Sequence, residues 1–425
     1  IAYGNRSYAN DETHSISYDD EGRILSETYT GYYNYTTSST QKDYTYDWLG
    51  RLIKEVVNGV TTEYTYDEVG NLLTKKVGDE VTTYTYNDKD QLEQITTGIV
   101  IENQYTYDIS GNRLTDTSYG HTTSYVYDGQ NNLTTINGSQ TAYTTCTYDA
   151  NGERLMRYNQ THYYYYYDGV NLLFVKKDNA IDMRYLYDNE GNVYCAIAND
   201  GLPYWHHTDI RGSVTNVLKG DSGTSSSPTL IRSYLYNAYG DTNYTTFSGG
   251  ETFNANPYLA YTGAILDQET GLYYLMSRYY DPKAGSFISQ DSYKGEGDAF
   301  WHLYAYCDGD PVNKTDRTGN YAWALYSSSD TCAYAFAKLQ LRNTNKDFRE
   351  RGAVIYKYSV KYNGKNKYVD RYIYTKVDVG AHNNVVWSFI KQRYLIAAPS
   401  FSSSFKRRNR IKDIKYKARY AFVHT

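Results

Sequence analysis

The chain has 425 residues, enough for two or three domains, yet 55 of them are Tyr and only 6 are Pro and 3 Met, which is not an ordinary globular composition. Hydrophobic residues at 40% and aromatics at 17% supply enough apolar surface to exclude global disorder despite a mean hydropathy of -0.71. No stretch approaches the ~20 apolar residues that a membrane-crossing helix needs, and Cys146, Cys195, Cys307 and Cys332 share no CxxC spacing, so they read as isolated thiols rather than a disulfide framework or a closed zinc site.

The chain begins at Ile1, already inside a repeating pattern, and stops at Thr425 after the apolar run Ala421-Phe422-Val423; the expectation is a fragment of a longer protein. Tyr-Asp or Tyr-Asn pairs then recur at Tyr46, Tyr66, Tyr86, Tyr107, Tyr127, Tyr148, Tyr167 and Tyr187, spaced 19 to 21 residues apart. A fixed period over seven intervals marks a repeat architecture. In the segment Tyr64 to Val77, Thr and Tyr favour a strand, Asp67 to Gly70 supply turn chemistry, and Leu72, Leu73 and Val77 begin a return strand. Each unit is therefore predicted to be a β-hairpin, and the expected fold is mainly β. Pairs such as Tyr44/Tyr46, Tyr64/Tyr66 and Tyr84/Tyr86 are two residues apart, which puts both rings on one side of the sheet. Tyrosine suits a surface with an apolar body and a wet phenol tip. A stacking platform for sugars or nucleic acid is the functional alternative, disfavoured by the few basic partners nearby.

The segments YDWLGRLIKEV, YDEVGNLLTKKV and YDISGNRLTDT resemble the tyrosine-aspartate repeats of Rhs and teneurin-type proteins. The resemblance covers roughly residues 15 to 319. The stretch Tyr204 to Val217 is similar to the family's histidine-threonine-aspartate-glycine-serine segment, and Thr270 to Gly319, with RYYDP, GSFISQDS, LYAYC and DPVNKTDRTG, resembles the Rhs-associated core. The division that follows is repeats over 1–200, late repeats and core over 201–319, and a variable C-terminal domain over 320–425, cut short. The resemblance implies a ribbon of hairpins spiralling into a hollow shell that holds the chain's own C-terminal toxin, secreted or at the cell surface. It also implies that the core cuts the chain after about residue 319 with paired aspartates, since one protonated and one ionised carboxyl can serve as acid and base on a peptide bond.

Carried over by position, Asp291 and Asp316 are the candidates for that pair, with Arg278 and Asp281 in support. Two departures stand out: the family's Gly-Arg-Phe is Gly285-Ser286-Phe287 here, and its Asp-Pro is Asp316-Arg317. The competing reading makes these aspartates turn formers. His206 and His207 lie beside Asp209 and invite a metal, but neighbouring side chains on a strand face opposite ways, so a structural role is expected. No cofactor is expected for the repeats.

Beyond the core the charge changes sign. Residues 320–425 hold 12 Lys and 9 Arg against 5 Asp and 1 Glu, a net +15, which leaves the first 319 residues at -20 within the total of -5. Such asymmetry indicates units with different tasks and an acidic partner, an immunity protein, for the tail. An α+β tail is predicted: a helix over Ser329 to Phe348, strands over Ala353 to Tyr362 and Tyr368 to Lys376 joined at Asn363-Gly364, a segment Val385 to Arg393 of either kind, and a last strand Ala418 to Val423.

Three readings of the tail compete. The first is a metallohydrolase, because Glu350 before a strand and His424 after another weakly resemble the JAB/JAMM type; zinc would be held at His424, with Glu350 taking the proton of its water. The second is a nuclease, with Lys406, Arg407, Arg408 and Arg410 meeting nucleic-acid phosphates and His382 as base beside Glu350 or Asp378. The third is a non-enzymatic cell-surface repeat protein.

Overall fold

The computed structural model describes residues 13–320, apart from 34–35, 140–142, 189–190, 221–227, 247–258 and 293–301, together with the tail strands Trp323–Ala324, Arg351–Tyr362, Lys367–Tyr374, Asp378–Val379 and Lys417–Val423. From Thr13–Tyr18 to Thr242–Thr246, 22 strands form a single antiparallel sheet in which each strand pairs with the next in sequence.

The repeat is legible in Val60–Tyr66 and Leu72–Val77, which pair from Thr62↔Val77 to Tyr66↔Leu72 with a register shift at Thr65/Tyr66. Asp67 makes the turn. Its Oδ1 accepts the amides of Val69 at 3.0 Å, Gly70 at 2.8 Å and Asn71 at 2.8 Å, and Gly70 takes φ +103°, open to glycine alone at little cost. The same construction recurs at Asp47, Asp108, Asp128 and Asp149. The opposite ends are two-residue hairpins such as Asn58-Gly59, both at positive φ, the backbone that matches strand twist.

Both tyrosines of each pair lie on one side, as their spacing predicts. The first is buried, as at Tyr44, Tyr64, Tyr84 and Tyr105, and the second packs partly buried against the same cluster. The phenol tips depart from expectation. Instead of meeting water, Tyr66, Tyr86, Tyr107, Tyr148 and Tyr187 donate to the carbonyls of Leu52, Leu72, Leu92, Leu133 and Leu172 one repeat earlier, at 2.6 to 3.0 Å. Tyr44 and Tyr64 donate to the buried carboxylates of Glu27 and Glu55. The rings are covered by the core segment, and a buried hydroxyl must find a protein acceptor.

That segment carries a small antiparallel sheet of Ile265–Asp267, Leu272–Tyr274, Tyr279–Asp281 and Ser286–Phe287. Tyr261, Tyr273, Tyr280 and Tyr306 pack with repeat residues such as Tyr165, Val217 and Tyr236 in one cluster, with Tyr280 and Tyr306 ring centroids 4.2 Å apart. The core therefore lies on the tyrosine face, and late repeats run on through 203–246 before it begins.

The tail from Leu325 belongs to a separate compact unit. Arg351–Tyr362 pairs antiparallel with Lys367–Tyr374 and with Lys417–Val423, so three predicted strands appear within two residues of their expected bounds. The helix expected over 329–348, the turn at 363–364 and the segment 385–393 lie outside the described residues. Among the described residues no helix is long and apolar enough to cross a membrane.

Candidate cleavage site

Three of the four core residues singled out in the sequence converge on the end of the core. Arg278 is 6% exposed, and its guanidinium carbon lies 3.6 Å from the centroid of the Phe287 ring. It uses all three nitrogens: Nη2 donates to Asp291 Oδ2 at 2.8 Å, Nη1 to the Leu303 carbonyl at 3.0 Å, and Nε to the Gly319 carbonyl. Burial pushes this guanidinium down from its usual range, against Asp291 and Asp316, which both favour its charge. Asp316 is buried; its Oδ1 accepts from the Gly319 amide at 2.8 Å and from the Thr318 amide and hydroxyl at 3.1 Å each.

The chain at 318–320 is thus held from both sides. Ser277 donates to the Thr318 carbonyl from its amide at 3.1 Å and from its hydroxyl at 2.8 Å. Gly319 takes φ +71°, and a Cβ there would lie 2.7 Å from the Leu275 carbonyl oxygen and 2.8 Å from Ser277 Oγ. Only glycine fits this position. At the two departures from the family pattern, Ser286 is buried on a strand that pairs with Asp281 and bridges to Ala305, and Arg317, in place of proline, reaches Asn171 Oδ1 at 3.4 Å.

Asp281 does not join them. Its Oδ2 pairs with Arg113 Nη1 at 2.6 Å and its Oδ1 accepts the Lys283 and Ala284 amides, so it ties the core to the repeats rather than supporting Asp291 and Asp316. Arg113 and Arg154 were missed by reading the sequence, although the signal is present. After each turn the repeats place Leu52, Leu72, Leu92, Leu133 and Leu172, and at two copies that leucine is arginine. Both side chains are fully buried: Arg113 faces Asp281, and Arg154 Nη1 meets Asp267 Oδ2 at 2.6 Å. Burial opposes their charge, and the paired aspartates more than restore it, so both are held above the usual arginine range. The tyrosines that would reach these two positions, Tyr127 and Tyr167, leave their hydroxyls without a hydrogen-bond partner.

His206 is buried, pairs Nδ1 with the Tyr204 carbonyl at 2.9 Å, and is pushed by burial to a pKa of about 4; it is a neutral core residue. Cys146, Cys195 and Cys307 are buried free thiols. In the tail, Glu350, His382, Lys406, Arg407, Arg408, Arg410 and His424 lie outside the described residues.

Residues 76–203 match the family model described as Teneurin YD-shell. The match covers the middle of the repeat region. Among similar proteins, the tRNA3(Ser)-specific nuclease WapA of Bacillus spizizenii is 35% identical over 173 residues, 40% of this chain and 7% of that one. The tRNA nuclease WapA of Bacillus subtilis (strain 168) is 31% identical over 171 residues, again 40% of this chain and 7% of the relative. The chain thus spans a small part of the length of these relatives. A crystal structure of TcdB2-TccC3-Cdc42 aligns over 77% of this chain and 21% of its own at 19% identity, with a TM-score of 0.39.

Proposed function

We propose that the chain is part of an Rhs-type polymorphic toxin, secreted or displayed at the cell surface, whose core cuts the Gly319–Asn320 bond and releases the tail from its shell. The observation that carries this reading is that Arg278 and Asp316 hold the Gly319 carbonyl and amide while Arg278 also pairs with Asp291. A water molecule adds to the Gly319 carbonyl carbon, the bond to the Asn320 nitrogen breaks, and the freed amine takes a proton. Asp291 and Asp316 share the one proton this needs, one carboxyl receiving it from the water and the other delivering it to the amine. Arg278 Nε, already on the Gly319 carbonyl, steadies the oxyanion. Time-resolved intact mass of the purified chain tests this: a fragment beginning at Asn320 should accumulate, and Asp291→Asn or Asp316→Asn should stop it. A folded wild-type chain that stays whole sinks the reading.

For the tail, the nuclease reading is favoured. It is supported by the +15 charge of residues 320–425, the footprint wanted for phosphate contacts, and by the WapA relatives, which are named as tRNA nucleases. The same charge suits enclosure by the first 319 residues, at -20, and an acidic immunity partner. Incubating the tail with tRNA over a salt series separates this from the zinc hydrolase of Glu350 and His424. Cleavage of tRNA that weakens with salt favours the nuclease; bound zinc without RNA cleavage favours the other.

A further inference from the structure

We propose that Ser277 is the positioning residue of this cleavage site and that it reads the side-chain amide of Asn320, the first residue of the tail; this rests on the reading that the bond after Gly319 is the one cut. Ser277 is presented by a tight turn in which Leu275 and Arg278 close a 2.9 Å backbone hydrogen bond and the Ser277 amide also reaches the Leu275 carbonyl at 2.8 Å. Within it Met276 takes φ +65°, a left-handed conformation that is costly for a residue with a Cβ and persists only where its surroundings impose it. The turn aims both donors of Ser277 at Thr318 and brings its Oγ 2.9 Å from Asn320 Oδ1. Ser277 therefore holds the residues on either side of Gly319, while its neighbour Arg278 holds the Gly319 carbonyl itself. Two consecutive side chains fix three consecutive residues of the substrate segment.

The proton count sharpens the assignment. A serine hydroxyl has one hydrogen, and here it faces two oxygens, the Thr318 carbonyl and Asn320 Oδ1. Turning the Asn320 amide about its last bond, so that Nδ2 takes the place of Oδ1, lets Ser277 donate to Thr318 and accept from Asn320 with every group satisfied. Asparagine at this position supplies a donor that aspartate, of the same size, lacks when ionised. The contact thus selects an amide at the first residue after the cut. It orients the bond without touching the reacting carbonyl, so its contribution lies in geometry, where a small misplacement costs up to about 100-fold in rate.

The test is a cleavage time course of the full chain by intact mass, with sequencing of the new N-termini, for wild type, Ser277→Ala, Ser277→Thr, Asn320→Asp and the double variant Ser277→Ala/Asn320→Asp. Ser277→Ala should slow release by about 10- to 100-fold and spread the cut over neighbouring bonds, a readout that lost stability would not produce. Ser277→Thr, which keeps the hydroxyl, should cut at the wild-type position. Asn320→Asp alters an exposed side chain and should slow release about as much as Ser277→Ala, with no further loss in the double variant. Equal rates and a single cut position in wild type and Ser277→Ala overturn the proposal and leave the cleavage reading standing. Full additivity of the two substitutions also overturns it. A wild-type chain that never cuts removes both.

Discussion

Replacing Arg113 by leucine tests how the core is fixed to the repeats. The Arg113 side chain is 0% exposed and that of Asp281 8%, with 2.6 Å between Nη1 and Oδ2, and the guanidinium carbon lies 4.0 Å from the Tyr105 ring centroid. Leucine is what most copies of the repeat carry here, so volume and backbone are tolerated; what Arg113→Leu strips away is the partner of a buried carboxylate. Breaking a buried pair from one side costs about 3–5 kcal/mol. The low end is expected, about 3 kcal/mol, because Asp281 Oδ1 keeps the Lys283 amide at 3.0 Å and the Ala284 amide at 3.3 Å. Adding Asp281→Asn should then recover most of the loss, since the stranded charge is gone. Urea unfolding of the full chain, followed by near-UV circular dichroism of the packed tyrosines, reads both midpoints and slopes. A single variant that costs under about 1 kcal/mol, or a double variant that recovers nothing, refutes the claim that this pair secures the core.

Other outcomes follow from the same structure. Tyr86→Phe removes a hydroxyl bonded to the Leu72 carbonyl at 3.0 Å and should cost about 1 kcal/mol, whereas Tyr127→Phe removes one with no hydrogen-bond partner and should cost nothing or stabilise; equal losses in urea midpoints would contradict the hydroxyl accounting. His206 is held neutral with a folded pKa of about 4 against an ordinary 6.5. The unfolded chain therefore binds the extra proton first as pH falls, and stability of up to about 3 kcal/mol is lost between pH 6.5 and 4. His206→Gln should flatten the stability profile over that window and leave it unchanged above pH 7. Gly319→Ala places a Cβ 2.7 Å from the Leu275 carbonyl oxygen at a positive φ and should abolish release of the tail and lower the unfolding midpoint; normal release would show that 318–320 is not held as described.

The local pattern of the chain determined the repeat. Alternation of Tyr and Thr makes strands, Asp and Gly at a fixed offset close the turns, and a period of about 20 residues stacks one hairpin on the next, because each of these is a contact between residues near in sequence. The paired tail strands Arg351–Tyr362 and Lys367–Tyr374 were legible for the same reason. The sequence also pointed to Arg278 and Asp316, which the fold brings to Gly319, and to Asp291, which it brings to Arg278. Only tertiary structure decided the rest. Asp281 sits three residues from Arg278 in the chain, yet its partner is Arg113, 168 residues away. Ser277, silent in the sequence, meets Thr318 across 41 residues. The phenol tips that suit a wet surface end on buried carbonyls, because the core segment covers the tyrosine face. A buried charge or hydroxyl takes whichever partner the packed chain brings within reach, and that choice is made by the fold as a whole rather than by the residues on either side.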